Sequence, residues 1–291
     1  MGDHYLPRML LKNFCDSSGL LWVARDGQDQ PFRATPDNVF KENDLYTKHT
    51  PVANADRPGW TFQRDRSSED ILGQIESAAA DPIRQVIARA RKRRLPQLGP
   101  GPQEALKRFF FATARRTPES QKRVRTPDAE ARRKLYILLC RKAKSEGVTL
   151  PSEDDFYGNP VFRDLIDHLF RNADASMAAG TIPSIRRFED QFFKTRALAV
   201  IVLAERKGSF IVGSHGIAIV EEMPPGSWLP IASDVAIAYH DDHQHEKIAF
   251  LGTEHDEVIR GINYASASHS TMIAASSRQL ITLMMERVWG M

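Results

Sequence analysis

Near residue 197 the hydrophobic period of the chain changes, and that change constrains the fold more than any other feature. From 67 to 196 the apolar residues recur at steps of three and four, the spacing of one helix face. Beyond that point they come in short, β-branched runs at 198–203, 210–212, 217–220, 235–239 and 248–251, separated by Gly, Pro and charged turns. Strands and helices kept in blocks, rather than alternating, specify an α+β architecture and not a doubly wound parallel sheet. The expected fold is therefore α+β: an N-terminal hairpin, a helical middle, a C-terminal antiparallel sheet of four to five strands, and terminal helices. The 291 residues are read as one compact domain. Its parts are an extended segment 1–66, a basic helical region 67–196, the sheet 197–252 and a helical end 253–291.

Local signals refine this reading. Residues 20–24, after the Ser17-Ser18-Gly19 turn, pair as a hairpin with a second strand near 31–33, and 47–64 lacks any period and reads as loop. A helix is expected over 67–94, with Ser67 as N-cap, Asp70 in its first turn and Leu95-Pro96 as its stop. Pro82 should kink or interrupt it. The segment 97–102 reads as a turn-rich linker, and 103–116 as the next helix. Thr126-Pro127 opens a third that ends at Gly147, and Asn159-Pro160 opens a fourth carrying Phe162, Leu165, Ile166, Leu169 and Phe170. Thr253 with Asp256 caps the C-terminal helical region. The longest purely apolar run, 197–204, is far short of the ~20 residues that span a bilayer. The charged start, MGDHYLPR, shows no secretory signal. With only Cys15 and Cys140 as cysteines, a cytoplasmic location with no membrane association is expected.

Charge is strongly segregated. The net charge is +3, yet residues 84–143 hold 18 Lys and Arg against 4 Asp and Glu, leaving a net −11 on the rest of the chain. Such a block suits a nucleic acid or another polyanion, through Arg91, Lys92, Arg93 and Arg94 and through Lys122, Arg123 and Arg125. The alternative is that the basic helices dock on the acidic part of the same chain. Of Phe109, Phe110 and Phe111, only Phe111 is left as a stacking surface, so phosphate contact is expected and base reading is not.

No P-loop, nucleophile elbow, HExxH, CxxC or glycine-rich dinucleotide loop is present, so any site assembles from distant residues. Along one helix Glu69, Leu72, Glu76, Ala79 and Ile83 share a face, and along the next so do Leu106, Phe109, Thr113 and Arg116. A carboxylate in a core stripe needs a partner; Arg116 is one economical partner for Glu76, and His4 on the neighbouring N-terminal segment is another. Two readings stay open: a structural ion pair between packed helices, and a reaction centre. His4, Glu69, Glu76 and His215 are the candidate ligands for a divalent metal, whose bound water would attack a phosphodiester while Arg116 stabilises the developing charge. In that scheme His4, Glu76 and Arg116 are the catalytic residues. His240, His243 and His245 read as a solvated hairpin turn, Cys140 as a buried packing residue, and Cys15 as outside any catalytic dyad.

Residues 4–14, HYLPRMLLKNF, present His4, Pro7, Leu11 and Phe14 in the pattern H-x-x-P-x-x-x-L-x-x-F. With Asp44-Leu45-Tyr46, the Glu69 and Glu76 pair, and Arg116-Thr117-Pro118, the chain resembles DUF4238, a bacterial family of unknown function. The resemblance covers nearly the whole chain and implies no established activity. Where that family carries S-D-x-P after an apolar strand, this chain has Ser214-His215-Gly216-Ile217, so the acid and the proline are missing. The expected function is a metal-assisted hydrolase acting on nucleic acid or nucleotide phosphodiesters. The alternative is a non-catalytic module that binds a polyanion or a protein through the basic helices 84–143.

Overall fold

The computed structural model describes residues 2–53, 60–120, 129–145, 149–158, 160–204, 208–220, 226–241, 245–252 and 255–290. The N-terminal third is mostly extended: β1 (Gly2–His4), a short α1 (Arg8–Leu11), β2 (Leu21–Arg25), β3 (Phe32–Ala34), β4 (Lys41–Asn43), β5 (Lys48–Ala53) and β6 (Trp60–Asp65). The helical middle comprises α2 (Ser67–Arg91), α3 (Pro100–Arg115), α4 (Ala129–Ser145), α5 (Glu153–Gly158), α6 (Pro160–Ala178) and α7 (Pro183–Lys194). After it come β7 (Ala197–Leu203), β8 (Val212–Gly213), β9 (Ala218–Ile219), β10 (Ser227–Ala232), β11 (Val235–His240) and β12 (Lys247–Leu251). The last elements are α8 (Asp256–Ser268), β13 (Met272–Ala275) and α9 (Arg278–Met284). The fold is α+β, and no helix among the described residues is long and apolar enough to cross a membrane.

The large sheet runs β12-β7-β11-β10-β9, and a second sheet runs β3-β2-β13-β8. The expected C-terminal sheet is present, with two corrections. First, β12 pairs with β7 in parallel. The strands β11 and β12 therefore lie on opposite sides of β7 and do not pair as a hairpin; His243 lies outside the described residues. Second, the strand β8 leaves that sheet and pairs with β13. The strand β10 lacks a sequence signal because Pro230 interrupts it; the ladder shifts register between Pro230 and Ala232, a bulge where a proline costs no pairing.

The stretch 47–64 is not a loop. It forms the ribbon β5–β6, paired from Lys48↔Asp65 to Ala53↔Trp60, with 54–59 outside the described residues. Its outer edge is met by a side chain. Asn172 of α6 accepts from the His49 amide at 2.6 Å and donates to the His49 carbonyl at 2.8 Å, so it pairs with β5 as another strand would. Helix α2 passes uninterrupted through Pro82, which is buried. Its N-terminus is held by Asp65, whose carboxylate accepts from the Ser67 amide at 2.8 Å and the Ser67 hydroxyl at 3.1 Å, so Asp65 rather than Ser67 does the capping. Pro100, assigned to a linker from sequence, instead opens α3, a favoured place for proline at a helix start. The Thr126-Pro127 and Gly147 signals lie outside the described residues. The helix α7 has no counterpart among the sequence signals.

Tyr5, Leu6, Leu10, Leu11 and Phe14 are buried in the same cluster as Ile83, Val86, Phe109 and the strand residues Val200 and Ile237. The N-terminal motif is thus part of the main core. A smaller cluster lies between β13, α8 and α9, around Ile211, Ile273, Ile281 and Met284.

Candidate anion-binding cleft and the Arg116 junction

Arg116, at the end of α3, is 2% exposed and stands where the N-terminal strand, α2 and the Tyr46 turn meet. Its guanidinium donates to Glu76 Oε1 at 2.6 Å and also to the His4 carbonyl. Its own carbonyl accepts from the Tyr46 hydroxyl at 2.6 Å, and the Tyr46 ring lies 5.8 Å from its guanidinium. Burial disfavours the charged guanidinium, but Glu76 and Tyr46 outweigh it and hold the group more firmly protonated than a free arginine. The Tyr46 phenol, fully enclosed, is pushed up by burial. Glu76 and Arg116 therefore meet as the spacing predicts, and what they form is an ion pair that ties three segments together.

The remaining candidate ligands do not join them. Glu69 pairs with Arg66, its carboxylate accepting from Nε at 2.6 Å, and lies beside Asp3. Burial pushes the Asp3 carboxyl up, and the neighbouring Glu69 adds to that, against the opposing hydrogen bond from the Tyr46 amide. Burial lowers the His4 imidazole, with Arg8 and Lys41 adding to the effect and the Pro36 carbonyl opposing it. His215 sits elsewhere: buried, its Nδ1 donating to the Ile217 carbonyl at 2.9 Å and its ring 5.5 Å from that of His269. Among the described residues no three His, Cys, Asp or Glu side chains gather as a metal-binding group. The set His4, Glu69, Glu76 and His215 is thus not assembled, because Glu76 and Glu69 are engaged by arginines and the His215 ring by a carbonyl.

The turn at Ser214-His215-Gly216 meets a carboxylate from another segment. The Ser214 hydroxyl donates to Glu119, whose Oε1 also accepts from the Thr271 hydroxyl at 2.7 Å; the Thr271 and Met272 amides donate to Ser214 Oγ at 2.9 and 3.2 Å. Glu119 follows Arg116-Thr117-Pro118 directly, and its position after that motif is the one sequence signal that points to it. Gly213 has no room for a side chain: a Cβ there would lie 2.3 Å from the Ser266 carbonyl oxygen. This corner joins α3, α8 and β13 by close backbone approach.

The basic run at the end of α2 faces a different environment. Arg93 N–H donates to the Ala90 carbonyl at 2.8 Å and Arg94 N–H to the Arg89 carbonyl at 3.0 Å. That pair of bonds defines a Schellman cap, in which the residue at Arg93 takes the left-handed conformation. Arg93 does so at φ 57°, a place where glycine is at ease and a residue with a Cβ is strained. Its guanidinium is carried over the Phe250 ring, 5.6 Å from the centroid. Both residues line a cleft of about 1010 Å³ bounded by the end of α2, the β7 and β12 strands, and helices α8 and α9.

Arg91, Arg93 and Arg260 supply the cations of this cleft, and Ser233, Ser276 and Gln279 line it as well. Arg91 grips Asp234 with two bonds, at 2.7 and 2.8 Å, and Arg260 lies 3.4 Å from Asp256. No carboxylate is paired with Lys92, Arg93 or Arg94 among the described residues. Lys122, Arg123 and Arg125 lie outside the described residues. Elsewhere in the basic block several charges are matched internally: Arg84 with Asp81, Arg108 with Glu104, Arg115 with Glu189. Phe111 is not a free stacking face, since Phe188, Phe192 and Phe193 of α7 pack edge-on against it at 6.1, 5.2 and 4.8 Å. Phe250, Arg260 and Asp234 carry no signal in the sequence because they come from three separate elements with no shared spacing.

The class that the fold defines is an α+β chain whose N-terminal motif is built into the main core. The chain belongs to DUF4238, described as a protein family of unknown function, whose family model matches residues 3–279. No curated protein and no solved structure matches it.

Proposed function

We propose that the protein binds a polyanion, the phosphates of a nucleic acid or nucleotide, in the cleft at the end of α2, and that it does so without catalysis. The observation that carries this reading is Arg93. A cap position that favours glycine holds instead an arginine with no acidic partner among the described residues, aimed across Phe250 into a cleft that Arg260 also lines. Residues held in such strained conformations cluster at ligand clamps and active sites. Lys92 and Arg94 add sequence-independent attraction for phosphate. Metal-assisted hydrolysis, the other reading, lacks an assembled ligand set among the described residues, and its Arg116 is held by Glu76 and His4.

The test is fluorescence anisotropy with labelled single-stranded RNA, single-stranded DNA and duplex DNA, repeated with Arg93→Gly and Arg260→Gln. Binding that weakens with salt, and about tenfold in Arg93→Gly, is the expected result, on the scale of one charge-assisted phosphate contact. Arg93→Gly should at the same time melt no lower than the parent, since glycine relieves the cap. Equal affinity in parent and both variants overturns the reading. Turnover of the same oligonucleotides that a chelator abolishes would establish the hydrolase instead.

A further inference from the structure

Helix α4 carries the sequence Arg132-Arg133-Lys134, then Leu135-Tyr136-Ile137-Leu138-Leu139-Cys140, then Arg141. An aliphatic run in the middle of a domain is expected to be buried, with Cys140 in the core. Here Cys140 is half-buried, Ile137 is 42% exposed and Leu138 60% exposed. None of the helix's described side chains is fully buried. Its inner side is held by aromatic rings: Tyr136 lies 5.5 Å from Phe156 and 6.5 Å from Tyr157, and the Tyr157 hydroxyl donates to the Arg132 carbonyl. Helix α5, which supplies those rings, is acidic, with Glu153, Asp154 and Asp155 in its first turn and the two aspartates exposed. A basic helix with an uncovered aliphatic centre thus stands beside an acidic one in a single unit.

We propose that this unit is the contact between two copies of the chain. A two-fold axis sets each copy's α4 against the other's α5, Arg133 and Arg141 opposite Glu153 and Asp154, with Ile137 and Leu138 buried between them. Opposite charges on adjacent elements make a surface complementary to itself, which is what an isologous contact requires. The other occupants fit less well. A polyanion buries no aliphatic side chain and is repelled by α5. In a bilayer surface the apolar face must be separate from the charged one, whereas at 100° per residue Lys134 and Arg141 fall between Ile137 and Leu138 on the same face.

Sedimentation equilibrium of the full chain over a range of concentrations tests this, with circular dichroism checking each variant's fold. The parent should show a reversible dimer, and Leu138→Glu should raise its dissociation constant about a hundredfold, the scale of losing an interface anchor. Arg133→Glu/Arg141→Glu and Glu153→Arg/Asp154→Arg should each be monomeric alone and should dimerise when mixed, because mixing restores opposite charges at both contacts. A parent that stays monomeric, a dimer indifferent to Leu138→Glu, or charge variants that fail to pair when mixed overturns the proposal. So does a Leu138→Glu effect confined to binding of RNA or of anionic phosphatidylglycerol vesicles.

Discussion

Glu76 and Arg116 differ in one respect that decides how their mutants behave. Arg116 is enclosed, while Glu76 keeps 26% of its side chain exposed. Glu76→Leu leaves a buried cation without its counter-charge and should cost ~3–5 kcal/mol, because the charge cannot reach water. Arg116→Leu leaves a carboxylate that partly rehydrates, and should cost less through charge. It also leaves the His4 carbonyl without its donor. The double variant should recover much of the Glu76→Leu loss, and thermal melts of the three proteins read the difference. His4 gives a second residue-scale test. Its imidazole is held below the ordinary histidine range, so the folded state takes up a proton less readily than the unfolded one. Stability is therefore unaffected above the ordinary histidine value and falls as pH drops through it toward the lowered one. Melting temperature against pH should be flatter for His4→Gln than for the parent in that window.

At the scale of elements, the unbroken path of α2 through Pro82 invites a direct test. A helix-interior proline loses one backbone hydrogen bond and costs about 3 kcal/mol. Pro82→Ala restores the amide while giving up the packing of the buried ring. It should raise stability by roughly 1–2 kcal/mol by chemical denaturation, and a fall would show that the ring's packing governs. What was legible in the sequence divides along the same line. The α2 and α3 faces and the Glu76–Arg116 pairing follow from a regular period, because a helix places residues four apart on one side whatever surrounds it. The ribbon β5–β6 and the strand β10 contain Pro51 and Pro230, whose local signal opposes a strand; an edge position and a bulge overrule it. The parallel pairing of β12 was invisible for another reason, since strand direction is a property of the connection and not of the residues paired. The cleft shares that limit. Arg91 to Arg94 were readable as a charge run, but Phe250 and Arg260 join them only once the sheet and α8 are in place.

The molecule as a whole sorts its charge into two uses. Much of the basic block is neutralised within the chain, by Asp81, Glu104, Glu189 and Glu76, and Asp234 on the sheet side draws in Arg91. The surplus gathers at the end of α2 and along α4. For the first of these, polyanion affinity should fall steeply with salt. Replacing Lys92, Arg93 and Arg94 by Gln should lower the slope of log affinity against log salt by about 0.7–0.9 for each phosphate that a side chain no longer neutralises. An unchanged slope would mean that these three side chains do not touch the ligand.

The sheet β3-β2-β13-β8 has a consequence for how the protein is made. The strand β13 lies between β2 and β8, with Met272 to Ala275 opposite Arg25 to Trp22. Residues synthesised first thus receive their neighbour from residues synthesised some 250 positions later. While the ribosome is still working, β2 and β3 are a hairpin with one bare edge. That edge offers unpaired amides and carbonyls to any extended segment nearby, including those of other nascent chains. By topology this sheet closes only once β13 has been made. The interval between translation of Arg25 and translation of Met272 is the period in which that edge is open to aggregation.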